Sequence, residues 1–260
     1  MSRPIITLTT DFGYADAYVG TMKGVLLGIC PEATLVDISH QIRPQALRQA
    51  AYVLATAAPH FPPGAVHLVV VDPGVGTERD ILVVECGEHV FLAPDNGLLA
   101  QLIDGDGSAR VNKLDAARLD LPEPSATFHG RDIFAPVAAE LAAGRITVSD
   151  VSTPAQEWTP GWIDGPDVAA GKVTGVVVTV DTFGNLISNI DADLIGAFSE
   201  PVADIAGHQV PLLTTYGNAQ PGEYLALVNS FGVVEIARAE GSAADGLGSA
   251  RGAPLVIRDG

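Results

Sequence analysis

Residues 65–71 read AVHLVVV, apolar almost throughout and rich in β-branched side chains. A strand with one face in water alternates polar and apolar residues. This one does not, so it belongs to a sheet covered on both faces, as buried parallel strands are. Such a strand needs helices on either side, and the surrounding chain supplies them. Residues 4–10 are a short β-branched run. Residues 16–30 follow, with Tyr18, Met22, Val25, Leu26 and Ile29 at helical spacing. Residues 34–38 are strand-like, and Pro44 suits the first turn of a helix whose face is Leu47, Ala50, Ala51 and Leu54. Residues 81–86 and 89–93 form a pair of strands joined at Gly87-Glu88, while 96–103 and 132–143 read as helices. Strands alternating with helices predict an α/β domain with a mostly parallel central sheet, over residues 1–150.

The pattern changes after residue 144. Pro154, Pro160, Pro166, Trp158 and Trp162 crowd a stretch with several glycines, and residues 151–171 read as a connector. From Lys172 the helical spacing fades. VTGVVVTVD, NLISNI, EYLALVN, GVVEIAR and APLVIRDG are short strands separated by Gly and Asn turns. Residues 172–260 therefore form a smaller all-β domain, a barrel or a sandwich. In the first helix Gly20, Gly24 and Gly28 recur every four residues, a smooth face that a neighbouring backbone could approach.

Charge excludes one class of partner. The 260 residues carry a formal net charge of −17 with only 14 Lys and Arg, and no basic cluster. Nucleic-acid binding rests on neutralising phosphates, so none is expected. Cys30 and Cys86 lack CxxC spacing and read as two buried thiols. The opening MSRPIITLTTDFG has too short an apolar run for a signal peptide, and no segment offers the ~18 apolar residues of a membrane span. A soluble protein of a reducing compartment, the cytoplasm, is expected.

Ligands of open α/β sheets sit beyond the carboxyl ends of the strands. Three aspartates lie at such ends: Asp11 after ITLTT, Asp37 within LVDIS and Asp72 after HLVVV. Asp72 opens DPGVGTER, a glycine turn that could bring Arg79 back beside it. His129 and Arg131 lie in TFHGRDIFAPV, where Gly130 lets the backbone bend close to a ligand and Asp132 suits a helix N-cap. In the β domain, DTFGNLISNI reads as a hairpin tipped by Gly184-Asn185, or as a ligand rim of Asp181, Phe183 and Asn185. NSFG at 229–232 has the same two readings. No GxGxxG follows the first strand. Walker, GxSxG and HExxH motifs are also missing, and no tight His pair supplies metal spacing.

Seven motifs in order, TTDFG, GICPEATLVDISHQI, VVDPGVGTERD, APDNGLL, TFHGRDIFAPVAA, DTFGNLISNI and NSFGVVEIA, span nearly the whole chain. Together they resemble the S-adenosylmethionine (SAM) hydrolases, or SAM hydroxide adenosyltransferases, relatives of the adenosyl-fluorinases and chlorinases. The resemblance implies an α/β N-terminal domain and a barrel-like C-terminal domain. It also implies a homotrimer with ligand between the N-terminal domain of one subunit and the C-terminal domain of its neighbour. It places a water-activating trio on Asp72, Arg79 and His129 and a ribose-binding aspartate on Asp11. Asp181, Asn185 and Ser230 match contacts to the amino-acid part, and Phe183 lies near the adenosine. Phe128, Gly130, Tyr216 and Phe231 complete the expected substrate-binding set. The halogenating relatives carry Tyr where this chain has Asp72 and lack the Arg and the His, and fluorinases place Trp near the substrate where this chain has Gln45. Fluorinases add a loop after the Arg79 position and carry Ser where this chain, like the chlorinases, has Gly130. The implied activity is hydrolysis of SAM to adenosine and methionine by water attacking the ribose 5′ carbon, with no cofactor and no metal. Alternatives are a SAM-dependent halogenase, a metal-dependent hydrolase using Asp11, Asp37, Asp72 and His129, and a non-catalytic nucleoside- or SAM-binding protein.

Overall fold

The computed structural model describes residues 3–161 and 165–260. Met1, Ser2 and Trp162, which entered the readings of the N-terminus and the connector, lie outside the described residues. The chain divides into two compact units, Met1–Trp162 and Ile163–Gly260.

The N-terminal unit runs β1 (Ile5–Thr10), α1 (Tyr18–Ile29), β2 (Thr34–Ser39), α2 (Leu47–Ala57), β3 (Val66–Val70), β4 (Ile81–Cys86), β5 (His89–Pro94), α3 (Ala100–Gly105), β6 (Arg110–Leu114), α4 (Ala135–Ala142), α5 (Val148–Val151) and β7 (Ser152–Pro154). Its sheet has the order β2-β1-β3-β5-β4-β6-β7. The β1–β2, β1–β3 and β3–β5 pairs are parallel. The β4–β5, β4–β6 and β6–β7 pairs are antiparallel. The sheet is mixed, and the expectation of a mostly parallel one is corrected. A parallel neighbour needs a crossover of a dozen residues or more, whereas the Gly87-Glu88 turn, with Gly87 at φ +57°, permits only reversal.

β3 is buried along its whole length, as its composition requires. Val66, Leu68 and Val70 face one core with Met22 and Leu26 of α1 and Val137 of α4. Val69 and Val71 face the other with Ala50 and Leu54 of α2 and Ile103 of α3. His67 is the polar member of this strand. It is fully buried, its Nδ1 lies 2.8 Å from Thr7 Oγ1, and its ring stacks on Phe91 at 4.7 Å between centroids.

Several boundaries move for local reasons. α2 starts at Leu47 and not at Pro44, because Gln45 between them adopts φ +61°. α3 starts at Ala100 and not near Asn96, because Gly97 takes φ +85°. The expected connector 151–171 carries β7, which pairs with β6, and β8 (Asp167–Ala169), which lies in the C-terminal unit and pairs with β9 (Lys172–Val180) there. Gly20, Gly24 and Gly28 are exposed, and no other atom of the described residues would approach a Cβ there within 4 Å. Cys30 is buried and Cys86 partly so, both as free thiols.

The C-terminal unit continues with β10 (Leu186–Asp191), β11 (Pro201–Ile205), β12 (His208–Pro211), β13 (Tyr224–Val228), β14 (Val233–Arg238), α6 (Ala243–Leu247) and β15 (Pro254–Asp259). Its antiparallel sheet has the order β12-β11-β15-β9-β10-β14-β13, with β8 on β9. A bridge from Leu212, just past β12, to Ala226 of β13 brings the two ends of that order together, so the sheet is nearly a closed barrel. Val173, Leu186, Ile190, Val234, Ile236 and Leu255 fill it. No helix among the described residues is long and apolar enough to cross a membrane.

Burial of His67, and then the nearby His89, lower the His67 pKa to about 3. The folded value lies below the ordinary ~6.5, so the neutral ring is favoured by folding. Stability is fully present above pH ~6.5 and falls by up to ~1.4 kcal/mol per pH unit below it. Urea denaturation at pH 6.5 and pH 5, above the carboxylate range, is expected to show this slope, and His67→Phe to reduce it. An unchanged slope in that variant would assign the acid sensitivity to other groups.

Candidate active site

β1 and β3 are adjacent and parallel, with Thr10 paired to Val70. Asp11 and Asp72 therefore leave the sheet at the same edge, from strands about 5 Å apart. This is the edge at which open α/β sheets bind ligands.

Past Val71 the chain folds into a tight turn. Val75 N donates to Asp72 O at 3.3 Å, and Thr77 N to Gly74 O at 3.2 Å. Gly76 takes φ +78°, and a Cβ there would lie 2.2 Å from the Ala126 carbonyl oxygen. Only glycine lets this turn press against the backbone leading into Phe128 and His129. The turn returns Arg79 to Asp72. Arg79 Nε donates to Asp72 Oδ1 at 3.0 Å and Oδ2 at 2.9 Å, and Nη2 also donates to Oδ2. Nη2 further donates to His129 Nδ1 at 3.1 Å, and Phe134 lies 5.6 Å from the guanidinium carbon. The Asp72 and Arg79 side chains are only 4% and 11% exposed, so the pair is poorly screened by water.

That contact determines how His129 is protonated. Arginine has donors only, so Nδ1 must accept and the proton of the neutral ring sits on Nε2. Burial, and then the Arg79 charge, lower the His129 pKa, outweighing Asp72 and Asp132, which raise it. The lowered pKa favours a neutral ring with its proton on Nε2.

His129 caps a π turn, Gly130–Phe134, that leads into α4 and is closed by Ala135 N donating to Gly130 O. Such turns concentrate at functional sites. Asp132 is not the cap expected from the sequence. It lies inside the turn, where its carboxylate accepts from Ser125 N at 2.9 Å, Ser125 Oγ at 2.6 Å and Arg131 Nε at 2.5 Å. Phe128 meets Phe12 and Tyr18 edge-on at 6.1 and 5.1 Å, forming an aromatic wall beside the turn. A Cβ on Gly130 would lie 3.1 Å from Met22 Sδ, so the missing side chain lets the turn sit against α1.

Asp11 Oδ2 accepts from Gln45 N at 2.8 Å. Asp37 is engaged elsewhere, 2.6 Å from Lys23 Nζ. The four ligands considered for a metal do not converge: among the described residues, no group of three or more His, Cys, Asp or Glu is arranged to hold a metal ion.

In the C-terminal unit, DTFGN is a tight hairpin held by the Asp181 side chain. Asp181 Oδ1 accepts from Phe183 N at 2.9 Å and Asn185 N at 2.8 Å, and Oδ2 accepts from Asn185 Nδ2 at 2.9 Å. This leaves Phe183 79% exposed. Tyr216 Oη donates to Glu235 Oε1 at 2.6 Å, and Asn229 Nδ2 to Glu235 Oε2 at 3.2 Å. Ser230 and Phe231 stand exposed on the turn that Asn229 begins. Burial, and then the Glu235 carboxylate, raise the Tyr216 pKa, with Asp181 adding to it.

Comparison with known proteins decides the family. The SAM hydroxide adenosyltransferase N-terminal domain matches residues 6–152, and the C-terminal domain of the same family matches residues 175–256. The chain belongs to the SAM hydroxide adenosyltransferase family. It is similar to an (R)-S-adenosyl-L-methionine hydrolase of Thermus thermophilus, 38% identical over 97% of this chain and 98% of the relative. A Salinispora tropica protein of the same name is 39% identical over 99% and 98%. Among solved structures, an uncharacterized conserved protein from Thermotoga maritima superposes with a TM-score of 0.91 at 36% identity, covering 97% of this chain and 99% of that one.

Within this family member, sequence reasoning passed over Glu235. It lies in β14 between Val234 and Ile236, only 3% exposed. An acid inside an otherwise apolar strand was the available signal. The close approach of the two loops yields a further expectation. Gly76→Ala would strain the turn and drive a Cβ into Ala126, displacing Arg79 from His129. Turnover should fall on the order of 10²-fold, with a loss of at least ~1 kcal/mol of stability. Wild-type turnover in this variant, measured alongside thermal unfolding, would remove the turn from the catalytic geometry.

Proposed function

We propose that this chain hydrolyses S-adenosyl-L-methionine to adenosine and L-methionine, by attack of water on the ribose 5′ carbon. The observation that carries this reading is Arg79 joined at once to the Asp72 carboxylate and to His129 Nδ1. The leaving group is a neutral thioether departing from a sulfonium, so it takes no proton. The site must supply a nucleophile and its alignment. Ionising water at pH 7 costs roughly 12 kcal/mol. The Arg79 charge offsets part of this by stabilising developing hydroxide. The His129 Nε2–H orients the oxygen, and Asp72 receives the proton as the C–O bond forms and the C–S bond breaks.

Asp11 binds the ribose hydroxyls at the same sheet edge, and Phe128 and Gly130 shape the adenosine side. Asp181, Asn185, Ser230 and Tyr216 hold the amino-acid part, with Phe183 and Phe231 against the nucleoside. The reading includes a homotrimer in which the N-terminal domain of one subunit and the C-terminal domain of its neighbour enclose the ligand. The family resemblance supports that arrangement, and the exposure of Phe183 at 79% is compatible with it.

Incubation with SAM in heavy-oxygen water, with chelator present, is expected to give adenosine labelled at the 5′-hydroxyl. Unlabelled adenosine would rule out direct attack, loss of activity with chelator would favour a metal hydrolase, and binding without turnover would mark a sensor. Chloride is expected to give no 5′-chloro product. Asp72→Asn should lower kcat by on the order of 10²-fold or more, and His129→Gln, which keeps an N–H donor, by much less. The reverse ranking would make His129 the base. Because the His129 pKa is lowered from 6.5, the ring stays neutral through neutral pH, and kcat/KM should fall only on the acid side of that value. The part of the limb that His129 contributes should vanish in His129→Gln, leaving only a fall at lower pH.

A further inference from the structure

His40 is a buried histidine outside the trio, only 1% exposed, just past the end of β2. In the turn Asp11–Tyr14, Phe12, Gly13 and Tyr14 are each tied to it or to a residue bonded to it. Its carbonyl accepts from Gly13 N at 2.7 Å. Its Nδ1 lies 2.8 Å from Thr10 Oγ1, and the same oxygen accepts from Phe12 N at 3.2 Å. The Thr10 hydroxyl has its own proton to donate to Nδ1, and in that tautomer the neutral His40 ring carries its proton on Nε2. That nitrogen lies 3.1 Å from Asp37 Oδ1, though not aligned for a strong hydrogen bond. Asp37 in turn accepts from Lys23 of α1 at 2.6 Å and from Tyr14 Oη at 3.3 Å. Tyr14 closes the circuit with its ring edge-on to His40 at 5.1 Å.

The remaining residue of the turn, Asp11, is held from the segment that follows. Gln45 N donates to its Oδ2 at 2.8 Å, and Gln45 keeps a left-handed φ of +61° to do so. A non-glycine residue held there stores backbone strain, which persists only where the surroundings over-determine it. The same turn presents Phe12 to Phe128, the residue before His129.

We propose that His40, acting through Thr10 and backed by Asp37 and Lys23, is a positioning residue that fixes Asp11 and Phe12 for nucleoside binding. This rests on the reading of Asp11 as the ribose-binding aspartate. Thr10 is fully buried, and valine matches its shape while removing the hydroxyl that joins Phe12 N to His40. The relay acts on where the ligand-binding turn sits and not on the attacking water.

The test measures adenosine binding by calorimetry, kinetics with SAM, and amide exchange of Phe12 and Gly13 in the ligand-free protein. Thr10→Val should weaken adenosine binding about tenfold and speed exchange at both amides, while kcat at saturating SAM changes by no more than about twofold. Thr10→Ser, which restores the hydroxyl, should return all three toward wild type. His40→Asn, which keeps an amide near the Nδ1 position, provides a second variant and should fall between them. Wild-type adenosine affinity in Thr10→Val, or weakened binding that serine does not restore, overturns the proposal. Asp11→Ala separates the two levels. If it weakens adenosine binding while Thr10→Val does not, the positioning role alone fails. If it leaves binding unchanged, the ribose reading fails and takes the positioning role with it.

Discussion

The site depends on one guanidinium. Arg79 lies in a loop, seven residues beyond Asp72, and is held to it by paired hydrogen bonds in a place that water barely reaches. In such surroundings an ion pair with satisfied geometry is rigid, and separating its members would strand a charge. The remaining Nη2 proton then dictates the state of His129, since an arginine can only donate. One cation thus sets the orientation of a carboxylate and the tautomer of an imidazole. Gly76 is the backbone condition for all of it, because any side chain there would collide with Ala126.

The C-terminal unit solves a different problem with neutral donors. Glu235 is a buried carboxylate whose pKa is raised, chiefly by burial. Tyr216 and Asn229 satisfy its two oxygens, which joins two loops that are distant in sequence. Asp181 organises its own hairpin through backbone and side-chain donors. These loops are thus held in place by their own hydrogen bonds.

Much of the framework was legible in the residue pattern. The unbroken apolar character of β3 demanded cover on both faces, and both cores exist. The fading of helical spacing after Lys172 marked the change to an all-β unit. What pattern could not show was strand direction. The β-branched run of β4 reads the same whichever way it pairs, and only the short Gly87-Glu88 turn reveals the reversal; β6 and β7 carry no such run, and their residue pattern does not mark them as strands. Helix starts slipped at Gln45 and Gly97, where a single positive φ postpones the helix. Asp132 had the right residue type for a cap, but a π turn begins before it and its carboxylate serves Ser125 and Arg131 instead.

The sequence by itself determined the parts. Asp11 and Asp72 follow apolar strands, glycines lie where turns must be tight, and seven ordered motifs mark the SAM hydroxide adenosyltransferase family. These are local properties, read from residue type and spacing along one stretch of chain. Tertiary structure alone decided the partnerships. His129 stands 50 residues from Arg79, Glu235 stands 19 from Tyr216, and His40 stands 30 from Thr10. A hydrogen bond depends on distance and direction in space, and neither is encoded in separation along the chain. The same is true of charge state: burial and the cation that folding brings to His129 lower its pKa and favour the neutral ring.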